Sequence, residues 1–275
     1  MNAINRYYTK RERTNFYMNV VVLTIFIGYS ISLMFEQTEF MGVVFLLIIL
    51  VFFAGSMILK EILNFFFQKA IFQLTVECDP YTAQESMRIV RKYDIFKGYN
   101  VPYVAFSSLV YIDTENAQAI LELFSEDNKL TKIGKDMILI KSYSLYKAYV
   151  ILNNKTQIKK AYADLIKLKD FIGKGKKLSP LYAWFDIEAE YALLSNDSKE
   201  ANSILSKANT TALNPREQAH HLYLVANVET ERGNITEALA HYGTVIKIAN
   251  KMVIKDKAQQ RSKELKHEKT QKTRR

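Results

Sequence analysis

Residues 14–35 read TNFYMNVVVLTIFIGYSISLMF and residues 40–59 read FMGVVFLLIILVFFAGSMIL, and neither run contains a charged residue. Each is about 20 residues long, the length of helix that crosses roughly 30 Å of hydrocarbon. A helix in a globular core keeps a polar face, and five turns without one point to lipid instead. The first run follows a basic stretch, as a signal peptide does. It exceeds the usual h-region, however, no Ala-x-Ala-like site follows it, and the second run comes almost at once. The reading is a retained transmembrane hairpin with spans over about 16–35 and 40–59. Gly28 and Ser32 form a small-xxx-small pair expected to bring the two helices close. With no ionisable group inside either span, the hairpin reads as an anchor rather than an ion or proton pathway.

Charge sets the expected orientation. The chain of 275 residues has a formal net charge of +10, with 38 Lys and Arg against 28 Asp and Glu. Residues 1–15 hold Arg6, Lys10, Arg11 and Arg13 against Glu12, and residues 251–275 hold ten basic side chains against Asp256, Glu264 and Glu268. The 24 basic and 24 acidic residues between them cancel, so the chain is a neutral body with two basic ends. The connection between the runs carries Glu36 and Glu39, whereas Lys60 and Lys69 follow the second run. The positive-inside rule then puts both termini in the cytoplasm of a multi-pass cell-membrane protein.

Beyond Leu59 the pattern is helical throughout. Asp79-Pro80, Ser179-Pro180 and Asn214-Pro215 each place a capping side chain before a proline, a start signal because proline at the first helical position lacks only an orphan N–H. Glu217 completes a capping box with Asn214, and Pro102 follows the Gly98–Val101 break. No long β-alternating run occurs, and the class is all-α. The expected organisation is a basic arm over 1–15, the hairpin over 16–59, a cytoplasmic helical domain over 60–250, and a basic capping helix and disordered end over 251–275.

Residues 218–249, QAHHLYLVANVETERGNITEALAHYGTVIKIA, form one helix, a Gly233-Asn234 turn and a second helix. This segment resembles a tetratricopeptide repeat: Leu222, Val225 and Ala226 match the first helix and Ala238, Tyr242 and Ile246 the second. Glu229 departs from the pattern, where a large apolar residue is usual. The preceding copy places Ala189 and Ala201 37 residues before Ala226 and Ala238, with Asn196-Asp197 as its turn. A third copy turns at Asn153-Asn154 with Ala161 at the small position. Two degenerate pairs are expected over 60–97 and 103–127, the second capped by Thr114. The chain as a whole resembles membrane-anchored repeat proteins of low-GC Gram-positive bacteria. The resemblance implies an α-solenoid of antiparallel helix pairs that binds an extended peptide along the concave face of its first helices. That face would include Asp186, Glu190, Tyr223 and Asn227. The two carboxylates stand where some relatives carry a Lys-rich clamp, which favours a neutral or basic protein segment over an acidic one.

The remaining chemistry is sparse. Cys78 is the single cysteine, and the adjacent Glu77 and Asp79 are expected to raise its pKa and make it a poor nucleophile. His220 and His221 point in different directions from one helix, with no carboxylate at ligand spacing, and read as solvated or groove-lining. Gly173–Lys177 lacks phosphate-loop spacing and reads as a helix cap and exposed linker. No enzyme motif, cofactor site or metal site is expected. The basic tail lacks interleaved aromatic residues, so nucleic acid is not an expected partner, while anionic lipid is. The function expected is a membrane-anchored adaptor or scaffold that binds a protein partner through the repeat groove. The alternative is an auxiliary subunit of a membrane complex, recognised through the hairpin.

Overall fold

The computed structural model describes residues 3–125, 134–169, 172–173, 176–177 and 183–273. The expected Ser179-Pro180 cap lies outside them. The chain divides into two compact units, one of Met1–Phe72 with Glu85–Phe96 and one of Gln73–Gln84 with Lys97–Arg275. The described residues are helical apart from a two-residue antiparallel bridge, Ile172–Gly173 with Lys176–Lys177. Gly173 therefore sits in a bridge and caps no helix.

In the first unit, α1 spans Ala3–Tyr7, α2 Lys10–Glu36 and α3 Phe40–Thr75. Thr9 starts α2 with a capping box: its hydroxyl accepts from the Glu12 amide and its own amide donates to Glu12 Oε2. Residues 3–15 of the expected basic arm are thus α1, the Tyr8–Thr9 connection and the start of α2. Tyr7 meets Phe65 and Phe72 edge-on. Asn19 Nδ2 donates to Glu61 Oε1 at 2.7 Å, and Phe26 lies 6.3 Å from Phe53, which aligns α2 and α3 antiparallel.

Both helices are long and apolar enough to cross a membrane. They are not core helices, because only 6% of each apolar window is buried. Ile25, Phe45 and Val51 are each about two-thirds exposed. A Cβ added at Gly28 would meet nothing within 4 Å, and Ser32 is exposed. The expected Gly28–Ser32 close approach is therefore absent; the buried small side chains of the two spans are Ser30 and Ala54.

The second unit is built from four helical hairpins: α5 (Asn100–Asp113) with α6 (Ala117–Leu123), α7 (Gly134–Ile151) with α8 (Lys155–Ile166), α9 (Trp184–Leu194) with α10 (Ser198–Ser206), and α11 (Pro215–Glu231) with α12 (Ile235–Ile248). One turn recurs in all four. Glu115, Asn153, Asn196 and Gly233 take positive φ, between 51° and 81°. The next residue, Asn116, Asn154, Asp197 or Asn234, donates its amide to the carbonyl five residues back. This is the Schellman closure, which satisfies the last carbonyls of the first helix. In three of the turns the same Asn or Asp then caps the second helix, accepting from the amide three residues on. Asn234 instead hydrogen-bonds Glu229, which also takes Arg232 at 2.8 Å. The departure at Glu229 is thereby explained: its carboxylate braces the turn.

These caps correct two expectations. Asn116, not Thr114, starts α6, and Thr114 ends α5. Counting four residues from each cap gives Ile120, Ile158, Ala201 and Ala238, all nearly or fully buried. Ile158, not half-buried Ala161, is thus the crossing position of α8. Eight residues before the caps stand Ser108, Tyr146, Ala189 and Ala226, each without exposure. Two hairpins cross through paired alanines and α7–α8 through Tyr146 and Ile158, a wider contact.

The unit also departs from an open stack, in which each repeat touches only its neighbours. Asp113 at the end of α5 pairs with Arg216 at the start of α11. Glu115 pairs with Lys257, and Asp79 with Lys251. The Lys251 amide donates to the Cys78 carbonyl. The first and last elements therefore meet. The final helix, α13 (Val253–Thr273), packs on α11 and α12 and buries Ile254, Ala258 and Leu265. It is helical to Thr273, where a disordered end was expected.

Candidate functional site

The four expected groove residues lie together. Asp186 and Glu190 come from α9, Tyr223 and Asn227 from α11, and all four line one cavity of about 240 Å³. A second cavity of about 320 Å³ shares Leu193, Tyr223 and Asn227 with the first. The two adjoin into a groove between the first helices of consecutive hairpins. Ile254 and Lys257 of α13 line the first cavity and Arg261 the second. Sequence reasoning placed α13 at the end of the stack rather than along this wall.

The charges at the groove are already partnered. His221 Nδ1 lies 2.6 Å from Asp186 Oδ1 and, facing a carboxylate, donates to it. Lys147 Nζ donates to Glu190 Oε1 at 2.5 Å. Glu115 takes Lys257 at 2.6 Å, and Arg261 pairs with Glu264. Tyr242 donates to Asn227 Oδ1 at 2.6 Å, and its ring meets Tyr223 edge-on. Burial pushes the Tyr223 hydroxyl up to about 12, so it remains a neutral donor. Asp186 and Glu190 were expected to favour a neutral or basic segment over an acidic one; both carboxylates are already hydrogen-bonded, to His221 and Lys147.

Behind the groove sits a buried group that sequence reasoning missed. Asp113 is fully buried and receives Arg216 Nε at 2.5 Å and Nη2 at 2.8 Å. His220 Nε2 lies 2.8 Å from the same carboxylate. Burial alone would raise the Asp113 pKa, but the guanidinium and the imidazole hold it below its ordinary value. Burial lowers the His220 pKa despite Asp113, so the ring is neutral at pH 7, with its Nε2 proton on Asp113. The two histidines were expected to be solvated or groove-lining: His220 lines the cavity, and both rings are bonded to carboxylates that come from 107 and 35 residues away. A bidentate buried pair of this kind fixes register more than it adds net stability.

Cys78 is buried, and its thiol is pushed up to about 11, first by burial and then by the Asp113 carboxylate. The causes are therefore burial and then a residue distant in sequence, rather than the neighbouring Glu77 and Asp79. Among the described residues no three His, Cys, Asp or Glu side chains converge on a possible metal position. Comparison with known proteins finds no matching family model, no matching curated protein and no matching solved structure.

Proposed function

We propose that this chain is a membrane-anchored adaptor. Its hairpin spans the bilayer with both termini on the cytoplasmic side, and its groove holds an extended, neutral segment of a partner protein. The observation that carries the reading is the pair of adjoining cavities along α9 and α11, the first also lined by α5, α7 and α13, whose walls combine apolar side chains with charged groups already partnered. A charged ligand would have to displace those pairs, whereas a neutral backbone finds the Asn227 amide and the Tyr223 hydroxyl. Four hairpins closed by one kind of turn support the tetratricopeptide-like relationship, in a variant whose ends are tied by ion pairs. The lipid-exposed apolar surface of α2 and α3 supports the anchor.

The test is photo-crosslinking of the full chain in its native membrane, with a photoreactive residue at Tyr223 or Asn227. The expected result is one discrete adduct, lost when Leu193 at the shared wall becomes Arg. An adduct that survives hairpin exchange belongs to the groove. One formed only with the native hairpin would support the auxiliary-subunit reading and overturn the adaptor. For topology, a cysteine at Thr38 is expected to label with an impermeant reagent from outside the cell. Native Cys78 is buried and would stay silent on either side, so the internal control has to be a second introduced cysteine at exposed Lys92.

A further inference from the structure

The run Arg91–Lys97, RKYDIFK, is exposed at six of its seven positions. Tyr93, Ile95 and Phe96 are 49%, 68% and 64% exposed, and Lys92 Nζ lies 5.1 Å from the Tyr93 ring centroid. On the same stretch of chain, Arg88, Arg91 and Lys92 face solvent while Met87 and Val90 are buried. Water alone gives no reason to expose two large apolar side chains beside a basic cluster. That pairing is the signature of a segment lying in a membrane interface, with aromatic rings at headgroup depth and cations among anionic headgroups.

Position along the chain agrees. Glu85–Phe96 belongs to the same compact unit as the hairpin. The α3 helix continues 16 residues past Leu59, about 24 Å, before the short connection Val76–Asp79. The α4 helix is 14 residues, about 21 Å, long, nearly the length needed to reach back to Lys60, where the second apolar run ends.

We infer that Tyr93, Ile95 and Phe96, flanked by Arg88, Arg91 and Lys92, form an interfacial foot that inserts into the anionic cytoplasmic leaflet. This rests on the membrane-spanning reading of the hairpin, and the foot acts there as a second, charge-selective contact. Arg88 pairs with Glu85 at 3.0 Å, but both side chains are exposed and such a wet pair exchanges readily; anionic headgroups complement the cluster of Arg88, Arg91 and Lys92, and the interface covers the apolar side chains.

The test uses the full-length protein with Trp184, its single tryptophan, changed to Phe, reconstituted into vesicles brominated near the headgroup end of the acyl chains. Phe96→Trp reports on the foot and Phe45→Trp on the hairpin. In phosphatidylcholine–phosphatidylglycerol vesicles, the tryptophan at 96 is expected to emit to the blue and be quenched. Quenching is expected to be lost with R88Q/R91Q/K92Q or in pure phosphatidylcholine. A quenched reporter at 45 with an unquenched one at 96 overturns the foot and leaves the anchor standing. Both unquenched overturns the anchor itself. Equal quenching at 96 in neutral and anionic vesicles overturns the choice of an anionic surface.

Discussion

The two units spend the same residue types in opposite ways. In α2 and α3 the Ile, Val and Phe side chains point outward and the polar contact, Asn19 with Glu61, lies between the helices. In the four hairpins most of the apolar side chains and the crossing alanines are buried, and a fully buried ion pair, Asp113 with Arg216, ties elements 103 residues apart. On the proposed membrane-spanning reading, each unit presents to its surroundings what those surroundings solvate: hydrocarbon for the first, water for the second. Backbone polarity is met within helices in both, the one arrangement that works in either medium.

The largest expected effect falls on the buried pair. Arg216→Ala leaves the Asp113 carboxylate uncompensated and is expected to cost about 3–5 kcal/mol, read as a lowered unfolding midpoint. Replacing Asp113 and Arg216 together by Asn and Met should cost much less, since no orphan charge remains. Equal losses for the single and double variants would deny the pair its specifying role.

Next is the outward face of the hairpin. Val51→Lys places a cation at the middle of the second apolar run. If Val51 faces lipid, membrane insertion weakens by roughly 2.5–3.5 kcal/mol, read as a lost membrane fraction. If it faces water, nothing changes, and the contrast between the two units collapses. Inside the second unit the comparable change is Ala238→Leu, which overpacks a fully buried crossing and should cost about 1–3 kcal/mol. Lys247→Ala on the same helix should be near neutral.

Acid provides a third probe. Folded His220 has a pKa below its ordinary 6.5, so the unfolded chain takes up a proton there that the folded chain refuses. Stability is therefore expected to fall as pH drops through that value. Asp113, held below 3.8, adds a further loss only under more acid conditions. Thermal melts between pH 8 and 5 should show the first loss, and His220→Gln should flatten it. A profile unchanged by that substitution would place the titrating group elsewhere.

Legibility in the sequence followed the range of the interactions. The apolar runs, the Asn214–Glu217 capping box and the turns at Asn153, Asn196 and Gly233 depend on residues a few positions apart, and all are readable. The turn at Glu115 was missed because a glutamate rarely adopts positive φ, so Thr114 offered itself as the cap. Ala161 misled because it is small. The recurring Asn or Asp cap, counted forward four residues, would have found Ile158. The four groove residues were carried over from the tetratricopeptide resemblance. The partners of Asp186 and Glu190 were not legible, because His221 and Lys147 reach them across 35 and 43 residues; the Asp113–Arg216 pair behind them spans 103. The resemblance to an open repeat array also concealed the closure of the first elements on the last.

The smallest expected effect tests that closure. Glu115 and Lys257 lie 2.6 Å apart, with side chains about a quarter and a half exposed. A pair this wet is worth roughly 0–1 kcal/mol, so either single substitution should barely move the melting midpoint. The informative quantity is coupling. In an open array, substitutions in the first hairpin and in the final helix share no contact and their effects add. In the closed unit, Glu115→Gln and Lys257→Met touch the same pair, and the double variant should lose less than the sum of the singles. The same cycle between Glu115→Gln and Lys199→Met, on α10, should show strict additivity, because those residues share no pair. Coupling of a few tenths of a kcal/mol in the first cycle and none in the second would support a ring-like closure in solution. Additivity in both would mean that α13 separates from the α5–α6 turn, leaving the groove open along that wall.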